Sequence, residues 1–284
     1  MSKSDLPKII ITSPVREREE CIVDFLEGIN RLEYPRNRVK CLFLINNSKD
    51  NTEKYILDYI ASHKDFPETF TGNLNVPDPD LLQDCRNHMV RRQLYSQFVL
   101  VRNKIIDLLL SPEIMKDFGD WDYQFSLDSD IIVKPGLLNA LLDNIGEYDI
   151  FANVIENDYG FGATGNVLDF DIPIDNFIKE GRLPTGIHYY LPTLPFMEPF
   201  DCFVTGACCL IKRLVLKSGI CYEHHNMGED TWFCMNAHKK GLKVGALVTG
   251  LSEHRMYERY RVEMEYRPND DPSKDYRKYG MVQA

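Results

Sequence analysis

The sequence predicts an α/β protein, built as a mainly parallel twisted sheet flanked by helices in a single continuous domain of two halves. Three observations carry that expectation. Continuous β-branched apolar runs recur along the chain, amphipathic helical periods follow them, and Pro or Gly punctuates the joins. Such alternation calls for right-handed crossovers, and open sheets of this kind hold ligands beyond the carboxyl ends of their strands.

The elements follow in order. KIIITSPV is a continuous apolar run closed by Ser-Pro, a buried strand whose end near Pro14 opens into a loop. EREECIVDFLEGINRLEYP places Ile22, Phe25, Leu26, Ile29 and Leu32 at helical spacing, and Pro35 lies beyond the end. VKCLFLINNSKDNT is a second strand running into a polar turn, and YILDYIASH a second helix. Residues 63–91 carry no clean period. RQLYSQFVLVRNKIIDLLLSP then repeats apolar residues at Leu94, Phe98, Val101, Ile105 and Leu108 before Pro112, a helix that also carries Arg102 and Asn103. WDYQFSLD is a strand and KPGLLNALLDNI a helix with Pro135 near its first turn, where a missing amide proton costs little. YDIFANVI is another strand, and 156–199 reads as a long irregular segment. DCFVTGACCLIKR resumes strand character. GEDTWFCMNAHKKG begins a helix with acidic residues in its first turn and ends it at Gly241, and LKVGALVTG is a last strand leading into LSEH.

Composition narrows the function classes. Hydrophobic residues at 44% and charged residues at 27% describe an ordinary globular chain. A formal net charge of −10 argues against nucleic acid or an anionic membrane as the main partner, because such surfaces are held by positive charge. No apolar run reaches the ~18 residues that read as a transmembrane helix, and the opening residues lack the apolar segment of a secretion signal, so the expectation is a cytoplasmic protein without a transmembrane segment. Eight cysteines without CxxC pairs fit reduced, mostly buried thiols. Cys202, Cys208, Cys209, Cys221, His224 and His225 fall together in the chain, but their spacing matches no common zinc motif.

LDSDIIVKPG places Asp128 and Asp130 two apart where a strand gives way to a helix, on the ligand-binding rim. On an extended segment two such side chains share a face while Ser129 points away. Two carboxylates together repel unless a positive charge joins them, and Mg2+ or Mn2+, which accept carboxylate oxygens and leave positions open for phosphates, meet that need. An Asp-x-Asp at a polar turn is also an ordinary structural feature.

Taken together, TSPVRERE, INNSKDNT, VRNKIID, LDSDIIVKPGLL, GEDTWFCMNAHKKGLKVG and LSEH resemble, in their order over residues 8–254, a GT-A fold glycosyltransferase of the family 2 type. The resemblance implies a Rossmann-like sheet, a nucleotide diphosphate sugar donor, UDP- or GDP-linked, and a hydroxyl acceptor on a saccharide or glycoconjugate. It also implies Mn2+ or Mg2+ as cofactor. Asp130 matches the direct metal ligand; Asp128 matches the position that meets the ribose or, through water, the metal. His254 completes the metal shell. Pro14, Val15, Arg16, Asn47, Arg102, Asp128 and Ser129 fall in the nucleotide pocket. Asn47 stands where the family commonly has Asp, which leaves the base open. Arg102 supplies charge to phosphate, or is a solvated helix residue. Asp230 matches the base of inverting members, with Glu229 binding the acceptor or orienting a loop.

On this resemblance residues 1–130 form the nucleotide-sugar-binding half, 131–256 the acceptor-binding and catalytic half, and 257–284 a C-terminal tail that covers the active site or frays. Retaining GT-A enzymes share the acidic turn, so the stereochemical outcome stays open at this point. A nucleotidyltransferase would carry a Gly-rich loop after strand one, where SPVRERE has none. A noncatalytic nucleotide- or sugar-binding protein with the same fold is the remaining alternative.

Overall fold

A strand covered by helices on both faces must be apolar on both, and the first strand obeys that constraint. Ile9 and Ile11 enter one core with Phe25 and Leu26, while Ile10 enters the other with Val101 and Ile105. The computed structural model describes residues 6–76, 88–112, 116, 119–157, 164–170, 186–190, 194–224 and 228–255. In chain order its elements are β1 (Ile9–Val15), α1 (Ile22–Asn30), β2 (Val39–Asn46), α2 (Thr52–Ser62), β3 (Glu68–Leu74), α3 (His88–Leu110), β4 (Tyr123–Leu127), β5 (Ile131–Val133) and α4 (Leu137–Asn144). Then come β6 (Ile150–Asn153), β7 (Glu156–Asn157), β8 (Thr164–Phe170), β9 (Gly186–Tyr190), β10 (Phe200–Asp201), β11 (Val204–Thr205), β12 (Cys208–Lys212), α5 (Arg213–Lys217), α6 (Glu229–Lys239), β13 (Val244–Leu247) and β14 (Ser252–His254).

Eight strands form the central sheet in the order β10-β13-β6-β12-β4-β1-β2-β3. β3, β2, β1 and β4 run parallel, as do β6 and β13. Between these parallel blocks lies β12, antiparallel to both neighbours, with Leu210 opposite Phe125 on one side and Phe151 on the other. One sheet thus runs through both halves of the chain. A core on one face packs α1 and α4 through Phe25, Leu26, Ile29, Leu137 and Leu141; the core on the other face packs α3 and α6 through Val101, Ile105, Leu109 and Phe233.

Several sequence expectations need correction. Residues 63–91 contain a strand, β3, in register with β2 from Lys40–Glu68 to Asn46–Leu74. It is the sheet edge and mostly exposed, so its backbone is paired while its side chains carry no apolar period. Within 156–199, β8 pairs β7, β9 and β11, giving a second sheet where an irregular segment was expected. The β8–β9 register shifts between Thr164 and Leu168, which breaks a period-two reading. The run FVTGACCLIK is two strands, because Ala207 adopts φ +61° and sends β11 into the second sheet and β12 into the central one. On α3 the buried face is Val101, Ile105, Ile106 and Leu109; Phe98 is exposed and Leu108 only half-buried. Residues 257–284 lie outside the described residues. Among those described, no helix is long and apolar enough to cross a membrane.

α1 approaches β5 backbone to backbone at Gly28, where an added Cβ would sit 2.9 Å from the Val133 carbonyl oxygen. Helix propensity alone favours Ala over Gly by ~1 kcal/mol. The clash is with main chain, which yields less readily than a side chain, so Gly28→Ala is expected to lower stability by ~1–3 kcal/mol in urea unfolding.

Candidate active site

The carboxyl end of β4, the turn between β11 and β12, and the first turn of α6 meet around a cleft of ≈ 340 Å³. Asp128, Ser129 and Asp130 enter it from β4, Glu229 and Asp230 from α6, and His254 from β14. The β5–β14 pairing, with His254 opposite Ile131, brings the last of these beside the acidic turn.

Arg102 lies at the base of the arrangement. Its side chain is 4% exposed, so the alternative of a solvated helix residue is excluded. Its Nη2 donates to Asp128 Oδ1 at 2.8 Å, its Nε to Glu229 Oε1 at 2.9 Å and its Nη1 to Ser126 Oγ at 3.4 Å. The guanidinium also lies over the Tyr222 ring, 5.5 Å from its centroid. Residues widely separated in the chain are joined through this one cation.

The acidic turn is likewise fixed. The Asp128 amide donates to the Ala207 carbonyl at 2.8 Å, and Ser129, buried, donates its hydroxyl to the Pro14 carbonyl at 3.1 Å. Asp130 meets Arg18 Nη2 through Oδ2 at 2.9 Å and His254 Nε2 through Oδ1 at 3.8 Å. Burial pushes both aspartates up. Asp128 stays raised despite Arg102, because Asp130 and Glu229 add repulsion. For Asp130 the His254 and Arg18 side chains outweigh burial and hold the carboxyl below its ordinary value.

Asp230 owes its place to Gly206. A Cβ at that residue would lie 1.9 Å from Asp230 Oδ2, so any side chain there would expel the carboxylate. Asn166 secures the turn by donating to the Gly206 carbonyl at 2.6 Å and accepting from the Ile155 amide at 2.9 Å. Gly228, at φ +115°, turns the chain into α6 in a conformation that suits glycine. Burial pushes Asp230 up to about 8; Arg102 opposes the shift while Glu229 and Asp128 reinforce it.

Among the expected site residues, Pro14, Arg102, Asp128, Ser129, Asp130, Glu229, Asp230 and His254 line this cleft, whereas Val15, Arg16 and Asn47 are not part of its lining. Val15 is buried in the core, Arg16 donates to Gln97 Oε1 at 2.9 Å, and the Asn47 side-chain amide donates to the Val76 carbonyl. The chain's left-handed turn at Glu17, φ +47°, puts Arg18 into the cleft, and alternation along the sequence could not distinguish it from Arg16. Gly206 and Asn166 were also missed, because their roles depend on contacts across the chain. Seven described cysteines are free, all but Cys221 buried, and His225 lies outside the described residues. No group of three or more His, Cys, Asp or Glu residues able to hold a metal is found among the described residues, so the cysteine-histidine segment forms no zinc site there. Asp130 and His254 offer oxygen and nitrogen donors, a partial shell that suits a divalent cation shared with a phosphate ligand.

A raised carboxyl pKa gives the pH dependence of stability a definite sign. Between the unfolded value near 3.8 and the folded value of about 8, the native state holds a proton that the unfolded state has released, so the Asp230 contribution to stability declines as pH rises. Asp230→Asn removes this dependence. Its melting temperature is expected to gain on wild type from pH 5 to pH 9; an unchanged difference would deny the shift.

No protein-family model and no curated protein matches the sequence. Solved structures do match the fold. PcManGT, a mannosyltransferase from Pyrobaculum calidifontis solved with GDP-Man and Mn2+, aligns with a TM-score of 0.56 at 10% identity, over 90% of this chain and 59% of its own. TarS 1–349 from S. aureus, solved with UDP-GlcNAc, aligns with a TM-score of 0.50 at 14% identity, over 92% of this chain and 61% of its own. The chain therefore spans about three fifths of the length of these neighbours. Its mixed sheet, with an antiparallel β12 between parallel blocks, has the GT-A fold of these neighbours.

Proposed function

We propose that this protein is a metal-dependent glycosyltransferase that moves a sugar from a nucleotide diphosphate sugar to an acceptor hydroxyl. The single observation that carries the proposal is the convergence of Asp128, Asp130, His254 and Asp230 in one cleft at the strand ends. The ligands named for PcManGT and TarS support a GDP- or UDP-linked donor and Mn2+, and their fold is shared here. Residues 1–130 supply most of the donor side, and 131–256 supply the acceptor side, including Asp230.

Asp130 and His254 would hold the cation, with Asp128 beside them. When bound, it supplies positive charge against the negative charge gathering on the leaving diphosphate. Arg102 fixes Asp128 and Glu229, so the donor and acceptor sides keep one spacing during the reaction. The acceptor oxygen forms its bond to the anomeric carbon as the bond to the diphosphate oxygen breaks. Its proton passes to the Asp230 carboxylate, and the electron pair of the broken bond leaves with the nucleotide diphosphate. Attack from the opposite face inverts the anomeric carbon. A base whose pKa lies near the working pH combines a useful deprotonated fraction with a strong pull on the proton, which is where burial sets Asp230.

Donor turnover tests the reading. Wild type with Mn2+ is expected to transfer or hydrolyse a UDP- or GDP-sugar, and Asp230→Asn to lose about 10²–10⁴-fold in kcat while keeping nucleotide affinity. Asp130→Ala is expected to lose both activity and metal-dependent stabilisation by nucleotide, which for a ligand at 100 times its Kd is roughly 2.7 kcal/mol. Activity unaffected by either substitution would reject the assignment.

A further inference from the structure

We infer that Arg18 is an exchangeable counter-ion: it neutralises Asp130 until a divalent cation takes that carboxylate, and then turns its guanidinium to the diphosphate of the nucleotide. The inference rests on the functional reading above, since cation and nucleotide must meet in this cleft.

The two arginines of the cleft are held in different ways. Arg102 is 4% exposed and locked between Asp128 and Glu229. Arg18 keeps 23% of its side chain exposed, faces the cleft, and meets Asp130 through Nη2 at 2.9 Å. Its backbone is built to present that arm. The Arg18 amide donates to Thr52 Oγ1 at 2.7 Å and the Glu17 amide to Ser48 Oγ at 3.0 Å, which pins the loop to the start of α2. The left-handed turn at Glu17 brings the carbonyls of Arg16 and Glu17 to 3.2 and 3.3 Å from Arg18 Nη1. A non-glycine residue in that conformation is uncommon, and here it aims a guanidinium at the carboxylate proposed as metal ligand.

A divalent cation and an arginine compete for one carboxylate, because each disfavours the other at short range. Asp130 holds Arg18 through Oδ2 and faces His254 through Oδ1. A cation arriving alone has to displace the guanidinium and forfeit the Arg18–Asp130 ion pair. Arriving with a nucleotide diphosphate, it frees an arm whose planar donors fit phosphate oxygens. Metal and nucleotide therefore bind cooperatively, by the same factor in either order.

Mn2+ binding, read by electron paramagnetic resonance with and without UDP or GDP, tests this in wild type, Arg18→Gln and Arg18→Lys, with circular dichroism melts to verify folding. Arg18→Gln is expected to bind Mn2+ alone about tenfold more tightly and to lose most of the nucleotide-induced gain, a typical size for coupling between sites. Arg18→Lys is expected to keep wild-type Mn2+ affinity to within a few-fold, with less nucleotide coupling. If Mn2+ alone binds Arg18→Gln no more tightly than wild type, while nucleotide still promotes Mn2+ binding, the counter-ion role is wrong and the glycosyltransferase reading stands. If wild type binds neither Mn2+ nor nucleotide under any condition, both fail.

Discussion

The buried Arg102 guanidinium is the interaction on which this site depends. Asp128, Glu229 and Asp230 crowd one cleft, and without a cation among them their mutual repulsion would push the acidic turn away from α6. Arg102 bonds two of the three and stands close enough to the third to oppose its pKa shift. Buried ion pairs add little net stability against a well-packed apolar core, but removing one member of such a set costs about 3–5 kcal/mol, because the partners remain buried. Its contribution is register. The neighbouring Asn103 reinforces it, exchanging both of its amide hydrogen bonds with the Tyr222 backbone at 2.8 Å, so that α3 also holds the chain that leads into α6.

Antiparallel β12 is what makes such convergence possible. Had β4 been followed in the sheet by another parallel strand, its neighbour would have run in the same direction and the turn entering it would have lain at the opposite rim. Running antiparallel, β12 begins beside the end of β4, so the Gly206–Ala207 turn lies against Asp128. Gly206 then leaves the space that Asp230 fills, and Asn166 ties the second sheet to that same turn. A strand direction, a missing side chain and one amide together place the Asp230 carboxylate in the cleft.

Much of this was legible in the sequence where local chemistry dominates. Strands buried on both faces, such as Ile9–Val15 and Val39–Asn46, announce themselves as apolar runs, and Ile22, Phe25, Leu26 and Ile29 mark the face of α1. The aspartates of LDSD and the GED segment stood out by position and charge. What escaped depends on distant partners. β3 is an edge strand defined by its ladder with β2, and its mostly exposed side chains carry no apolar run. Arg16 and Arg18 look alike in TSPVRERE, and only the backbone turn at Glu17 separates them. Arg102 read equally well as solvated or as a phosphate ligand, since the carboxylates that claim it lie 26 and 127 residues away.

The central claim is that one cleft receives a cation and a nucleotide diphosphate together, with Asp130 on the cation. Anomalous diffraction from crystals grown with Mn2+ and UDP or GDP tests it most directly. The account predicts an anomalous peak ligated by Asp130 and His254, with the diphosphate on its far side and Asp230 facing the open end of the cleft. Mn2+ or nucleotide bound elsewhere, with Asp130 still paired to Arg18, would contradict it.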